Sequence, residues 1–363
     1  MQIHSPEGGI RAHHHTGDRD RRSRRVEAVS CLVIAEMANA HEGSPVAAKA
    51  IVEAAAEAGA DAIKFQVFTA AELAVPDYAH FDVYERLQLS EEEWTSLVVH
   101  AKGLGLQVYA DVFGLEGAAL MLQLSVDGFM IHAADILNTP LLGQVGCAGI
   151  PTILSVAGST LREVADALTV LESAGAPSVL LMHGFQGYPT PLSDSCLNRI
   201  SVLRNEFSRR VGFASHVDGG SPQAVILPVL AASLGAEAIE VHLTLDRSEE
   251  GLDYYSSMDP PEFTEMVQLL RTMESALGPS SMELPDGELK YKRDHRKCLV
   301  ATRDIEAGEV IREEDVAFKR TDSLPAEASQ SLDSVLGRPA QKRIPKHSPI
   351  PEMELPSERR AGR

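Results

Sequence analysis

Gly235-Ala-Glu-Ala-Ile-Glu-Val-His-Leu-Thr-Leu-Asp246 is the stretch on which the fold turns. Ala238–His242 is short and apolar, the pattern of a strand buried on both faces, and it carries His242 at its C-terminal end. About one helix upstream, Val211–Ala214 repeats the pattern and runs into His216. Two parallel strands of this kind set two imidazoles side by side at one rim of a sheet or barrel, where α/β folds keep their chemistry. Either histidine alone reads as readily as a structural residue, His216 capping a loop and His242 satisfied in the core. The matched placement favours a site.

Working outward, short apolar runs alternate with Ala-rich amphipathic segments from Cys31 onward. Strands are expected at Leu32–Ala35, Ala62–Gln66, Gln107–Ala110, Gly128–Ile131, Pro151–Ser155 and Val179–His183, before the two already named. Helices are expected at Pro45–Ala58, Glu91–Leu104 (Ser90 and Glu93 forming a capping box), near Leu115–Leu124 and near Pro261–Leu277. Such a run of βα units over residues 31–278 predicts a (β/α)8 TIM barrel rather than an open doubly wound sheet. Residues 279–297, rich in Pro, Ser and charge, read as a linker. Residues 298–357 then form a small β-rich domain with little core of its own, its turn supplied by Asp304–Glu309.

A formal net charge of -19 argues against a nucleic-acid or anionic-membrane surface, since both want basic patches. No apolar run reaches the ~20 residues of a membrane span. Residues 1–30 are polar, carry His13-His14-His15 and lack a signal peptide's apolar segment, so they read as a disordered N-terminal extension. Cys31, Cys147, Cys196 and Cys298 have no paired spacing and read as inert buried thiols of a reducing, cytoplasmic protein.

The strand ends give the floor of the expected site. They offer Glu36 with His41, Lys64 and Gln66, Asp111, His132 and Asp135, Ser155, then His183, Gln186 and Tyr188, His216 and His242. Asp253 follows the eighth strand. Lys64 at the end of a buried run costs several kcal/mol unless paired or bound to an anion. It is therefore expected to hold a substrate phosphate or carboxylate, or to pair with Glu36. Two neutral imidazoles plus water, at His216 and His242, suit Mn2+, Zn2+, Co2+ or Fe2+ acting as a Lewis acid on a carbonyl. Glu36 then serves as general acid/base or orients a metal-bound water.

These residues resemble the N-acetylneuraminate (sialic acid) synthase family. The likeness is carried by Val33-Ile-Ala-Glu36, His41-Glu-Gly43, Ala58-Gly-Ala-Asp-Ala-Ile-Lys-Phe-Gln66, Tyr188-Pro-Thr-Pro191, Gly212-Phe-Ala-Ser-His216, Glu240-Val-His-Leu-Thr-Leu-Asp246 and Gly251-Leu-Asp253. Val300–Glu309 and Phe318-Lys-Arg320 resemble its C-terminal antifreeze-like (SAF) domain. The resemblance implies condensation of phosphoenolpyruvate with the open-chain aldehyde of an N-acyl-hexosamine, releasing phosphate and forming a nonulosonic acid. It implies a divalent metal, typically Mn2+, on His216 and His242, with Glu36 assisting proton transfer and Lys64 contacting phosphoenolpyruvate. Asp135, Tyr188 and Asp253 would hold sugar hydroxyls, with Gln186 in the place of a family Asn. Arg320, from the partner subunit of a domain-swapped homodimer, would meet the N-acyl group.

The chain departs from the family at the anion end. Ala40-His41-Glu42-Gly43, Ala110-Asp111-Val112-Phe113, Met130-Ile131-His132-Ala133, Ala214 and Val241 stand where the family has amides, hydroxyls or cations. Each charge-assisted hydrogen bond lost there is worth roughly 1.5–3 kcal/mol, unless His132 or another group substitutes. The alternatives are a metal-dependent sugar aldolase or isomerase that uses no phosphoenolpyruvate, and a non-catalytic sugar-binding homologue.

Overall fold

A computed structural model describes residues 30–278, 281–321 and 328–352. The expected disordered extension therefore lies outside the described residues except for Ser30, as does the end of the second domain beyond residue 352. Contacts divide the chain into two compact units at residues 279/280.

In the first unit a closed parallel sheet is built from β1 (Leu32–Glu36), β2 (Ala62–Val67), β3 (Gln107–Val112), β4 (Gly128–Ile131), β5 (Thr152–Ser155), β6 (Val179–His183), β7 (Val211–Ser215) and β8 (Ala238–Leu243). Each pairs with the next, and β1 also pairs with β8, Glu36 opposite His242, which closes the barrel. A short β9 (Ser257–Met258) runs beside the end of β8. The helices lie between successive strands, and side chains fix the first turn of several of them. Ser90 Oγ accepts from the Glu93 amide while the Glu93 carboxylate accepts the Ser90 N–H at 2.8 Å. Thr160 and Glu163 repeat the arrangement at Leu161–Ala174.

Side-chain alternation along the strands sorts the core into two layers. Val33, Ala35, Ile63, Phe65, Val108 and Ala110 point out and pack under the helices. Ile34, Ala62, Tyr109, Met130, Ile153, Leu180, Met182, Ala214 and Ala238 fill the barrel interior. One step of two further along each strand lie the inward positions nearest the C-terminal rim. They carry Glu36, Lys64, Asp111, His132, Ser155, Gly184, His216 and Glu240, with His242 one step beyond. The period of two thus assembles the site.

The second unit contains an antiparallel hairpin, β10 (Cys298–Ala301) with β11 (Val316–Lys319). Isolated bridges at Val300–Pro349, Ile305–Ile344 and Val310–Pro339 extend it. The expectation of little core is corrected. Leu299, Ala301, Ile305, Ile311, Val316, Val335, Ala340, Ile344 and Ile350 form a buried cluster within this unit. Within the expected linker, Asp286–His295 is a helix. Acidic residues in its first turn and basic ones in its last complement the helix dipole. Among the cysteines, Cys31 and Cys298 are buried but Cys147 and Cys196 are exposed, against the expectation of four buried thiols. Among the described residues no helix is long and apolar enough to cross a membrane.

Candidate active site

The barrel mouth holds a cleft of about 20 Å³, lined by Glu36, Lys64, Gln66, Asp111, Met130, His132, Ser155, Gly184, Gln186, Tyr188, Ala214, His216, Glu240 and His242. That is room for roughly one water or a bare ion. Its outer wall is Tyr188, an exposed residue whose hydroxyl donates to Gln186 Oε1 at 2.5 Å.

On one side stand the two histidines. Their ring centroids are 5.2 Å apart at 77°, close enough for both to reach one ion through metal–nitrogen bonds of about 2.0–2.1 Å. His216 Nδ1 lies 2.8 Å from the Phe185 carbonyl. Donation to that oxygen fixes the tautomer and leaves Nε2 with a free lone pair, the arrangement of a ligating imidazole. The His216 backbone is pinned as well, its carbonyl accepting from Thr190 N at 2.7 Å and Ser256 Oγ at 2.9 Å. His242 Nδ1 is buried without a hydrogen-bond partner. Burial lowers the pKa of both rings, well below the usual value for His242, so both are neutral and able to ligate. Tyr188 covers the pair, 4.6 Å from His216 and 6.1 Å from His242 by ring centroids. Among the described residues no group of three or more His, Cys, Asp or Glu side chains surrounds a common metal position. The pair would need water or substrate oxygens to complete an ion's shell.

The other side is a buried ionic cluster. Lys64 Nζ lies 2.6 Å from Glu36 Oε2, 2.8 Å from Glu240 Oε1, 2.9 Å from Met130 Sδ and 3.9 Å from Asp111 Oδ2. Barrel register builds it, with Glu36 beside Lys64 and Asp111 beside Met130. Glu36 Oε1 accepts the Ala38 N–H at 2.6 Å, so both its oxygens are engaged. Asp111 is fully buried, and neither of its oxygens makes a well-formed hydrogen bond. Burial raises its pKa to about 7, helped by Glu240 and Asp135 and opposed by Lys64.

Of the residues expected at the site, Glu36, Lys64, Gln186, Tyr188, His216 and His242 meet at this cleft. Lys64 stands within the pairing alternative, held by carboxylates. Asp135 and Asp253 do not line the cleft as it stands. The Asp135 carboxylate is turned to Asn138 Nδ2 at 2.7 Å, and Asp253, held with φ +61°, accepts from the Asn39 backbone. Arg320 belongs to the second unit, where its Nε donates to the His295 carbonyl at 3.2 Å. His132 cannot replace a lost cation. Burial and Lys64 push it down to about 4, and its Nδ1 accepts from Ala134 N. His183 points out of the barrel toward the Ser195 carbonyl at 2.9 Å, and His41 is a buried residue beside Trp94. Glu240 is the residue the sequence reading passed over as a site member. Its spacing of two from His242 already put both on the inner face.

A family model described as NeuB family matches residues 51–282, and a SAF domain model matches residues 296–355. The Methanocaldococcus jannaschii protein MJ1065 is 34% identical over 80% of this chain and 84% of its own length. The N,N'-diacetyllegionaminic acid synthase of Legionella pneumophila is 31% identical over 86% of this chain and 92% of its own. A crystal structure of N-acetylneuraminic acid (sialic acid) synthetase from Leptospira borgpetersenii superposes with a TM-score of 0.68 at 26% identity, covering 72% of this chain and 91% of that one.

Proposed function

The chain belongs to the NeuB family and carries a SAF domain, and from that premise we propose a metal-assisted synthase that joins a three-carbon enol donor to the open-chain aldehyde of an N-acyl-hexosamine, giving a nonulosonic acid. The observation that carries it is the facing pair His216 and His242, neutral, 5.2 Å apart and roofed by Tyr188. These two would hold a divalent ion, Mn2+ by the resemblance, and the ion would polarise the aldehyde oxygen. Tyr188 keeps bulk water off the reacting carbon, and the Phe185 carbonyl holds His216 in its ligating tautomer. Glu36, with both oxygens engaged, orients Lys64.

Phosphoenolpyruvate is the donor the family resemblance brings. A second reading, a sugar aldolase using a donor without phosphate, is favoured by one observation, the enclosure of Lys64 by carboxylates. By the resemblance, Arg320 acts in trans on the N-acyl group within a homodimer. Arg320→Ala should then raise KM for the sugar at unchanged kcat. Incubation with Mn2+, N-acetylmannosamine and either phosphoenolpyruvate or pyruvate, followed by mass spectrometry, tests the core of this reading. A nonulosonic acid from at least one donor is expected, and none from either would end it.

A further inference from the structure

The barrel carries a second cavity, of about 490 Å³, on the outer side of its wall. It lies between the helices Leu161–Ala174 and Arg199–Phe207, which follow β5 and β6. Its volume falls in the range of about 300–1,000 Å³ usual for small-molecule pockets. The floor is made by Val156 and His183, the chain neighbours of Ser155 and Gly184 in the mouth cleft. Consecutive residues at a strand end face opposite sides, so cavity and cleft are separated by the barrel wall. On its far side the helix Leu161–Ala174 packs closely on Thr139–Cys147, where a Cβ on Gly146 would stand 2.6 Å from that of Ala174. The gap is left on the side of Arg199–Phe207.

Helical spacing sorts the lining into a polar and an apolar end. Arg199, Val202 and Leu203 fall at i, i+3 and i+4 on one helix, and Leu161 and Val164 at i and i+3 on the other. Both helices begin at the C-terminal rim of the strands, so Arg199 and Ser159 share one end and Val164 and Leu203 lie a turn deeper. Val156, Val164 and Leu203 are buried, whereas Leu161 and Val202 are 47% and 51% exposed. No carboxylate lines this cavity, and none pairs with Arg199 among the described residues. In a chain of net charge -19, that leaves an unmatched cation over an apolar slot. The helix that Arg199 opens has no side-chain cap, so its dipole adds to the attraction for an anion. Thr160 is spent on its own cap, its hydroxyl 2.8 Å from Glu163 Oε2.

We propose that this cavity is a binding site for a small amphipathic monoanion, a carboxylate on an aliphatic body. The carboxylate pairs with the Arg199 guanidinium, whose parallel N–H donors match its two oxygens. The body lies against Val156, Val164 and Leu203, out of water. One cation answers one negative charge, not the two or more of a phosphate ester. His183 adds no second charge, because burial lowers its pKa and its ring is held on the Ser195 carbonyl at 2.9 Å. The site needs neither the metal nor the aldehyde, so it stands or falls apart from the chemistry of the mouth.

The test is calorimetric titration of the full chain with octanoate, beside acetate, which keeps the charge, and 1-octanol, which keeps the body. Octanoate is expected to saturate one site per chain, with acetate and octanol each weaker by about 10-fold or more. Arg199→Ala is expected to weaken octanoate by about 10-fold or more and to leave octanol unchanged. Val202→Glu, a change at an exposed position, sets a carboxylate at the cavity and is expected to weaken octanoate as well. Octanoate binding unchanged in both variants would put the ligand elsewhere and overturn the proposal, as would acetate binding as tightly as octanoate. No uptake of octanoate by wild type would overturn it too; a change of oligomeric state in Val202→Glu would then make the cavity a protein interface.

Discussion

Burial lifts the Asp111 carboxyl from its ordinary range to about 7, and the shift acts on stability. A carboxyl whose folded pKa lies above its unfolded value costs nothing while protonated and destabilises the fold as pH climbs from about 4 through 7. Asp111→Asn is neutral throughout. Its melting temperature should match wild type near pH 4.5 and exceed it by several degrees at pH 8. A constant difference across that range would contradict the assigned ionisation. The sequence made several of the facing groups legible, because side chains spaced by two along a buried strand share the barrel interior. The pairing of Lys64 with Glu36 was legible as one alternative, whereas the second carboxylate, Glu240, was not. Glu36 and Glu240 reach it from β1 and β8, and that convergence belongs to the closed ring, not to local sequence.

Among the elements, the loop after β1 shows how the rim is tied together. Glu42, at φ +49°, turns its Oε1 to accept the Leu252 N–H at 3.0 Å, joining this loop to the one after β8 that carries Asp253. Gly43 follows at φ +80°, and a Cβ there would lie 2.0 Å from the Arg86 carbonyl oxygen, so no other residue fits without moving backbone. Glu42→Ala should leave Mn2+ content unchanged and raise KM for the sugar several-fold; an unchanged KM would show that the tie does not shape the site. Ser90→Ala removes a side-chain cap that is not part of the cleft lining, and should cost about 1 kcal/mol of stability with activity intact. The strand positions and four of the helices were readable from apolar periodicity and capping residues, each barrel strand falling within about two residues of its expected place. The helix Asp286–His295 was missed because it has no buried face to give a periodic signal, only its charge gradient.

At the scale of the whole molecule, each of the two units has its own buried core. Residues 30–278 expressed alone should fold and bind Mn2+ as the full chain does, because His216 and His242 are held within this unit. Loss of metal binding on truncation would contradict a site held within residues 30–278 alone. The barrel was legible as a run of βα units, whereas the cluster of nine buried residues in the second unit was not. Its apolar residues are scattered through short bridges from Leu299 to Ile350, without a period to reveal them. The most direct measurement on the whole is a Mn2+ titration of 15N-histidine-labelled protein followed by electron spin echo modulation. Coupling to two imidazole nitrogens is expected, falling to one in His216→Ala and in His242→Ala. Binding without imidazole coupling, or unchanged in both variants, would contradict a metal held between these two rings.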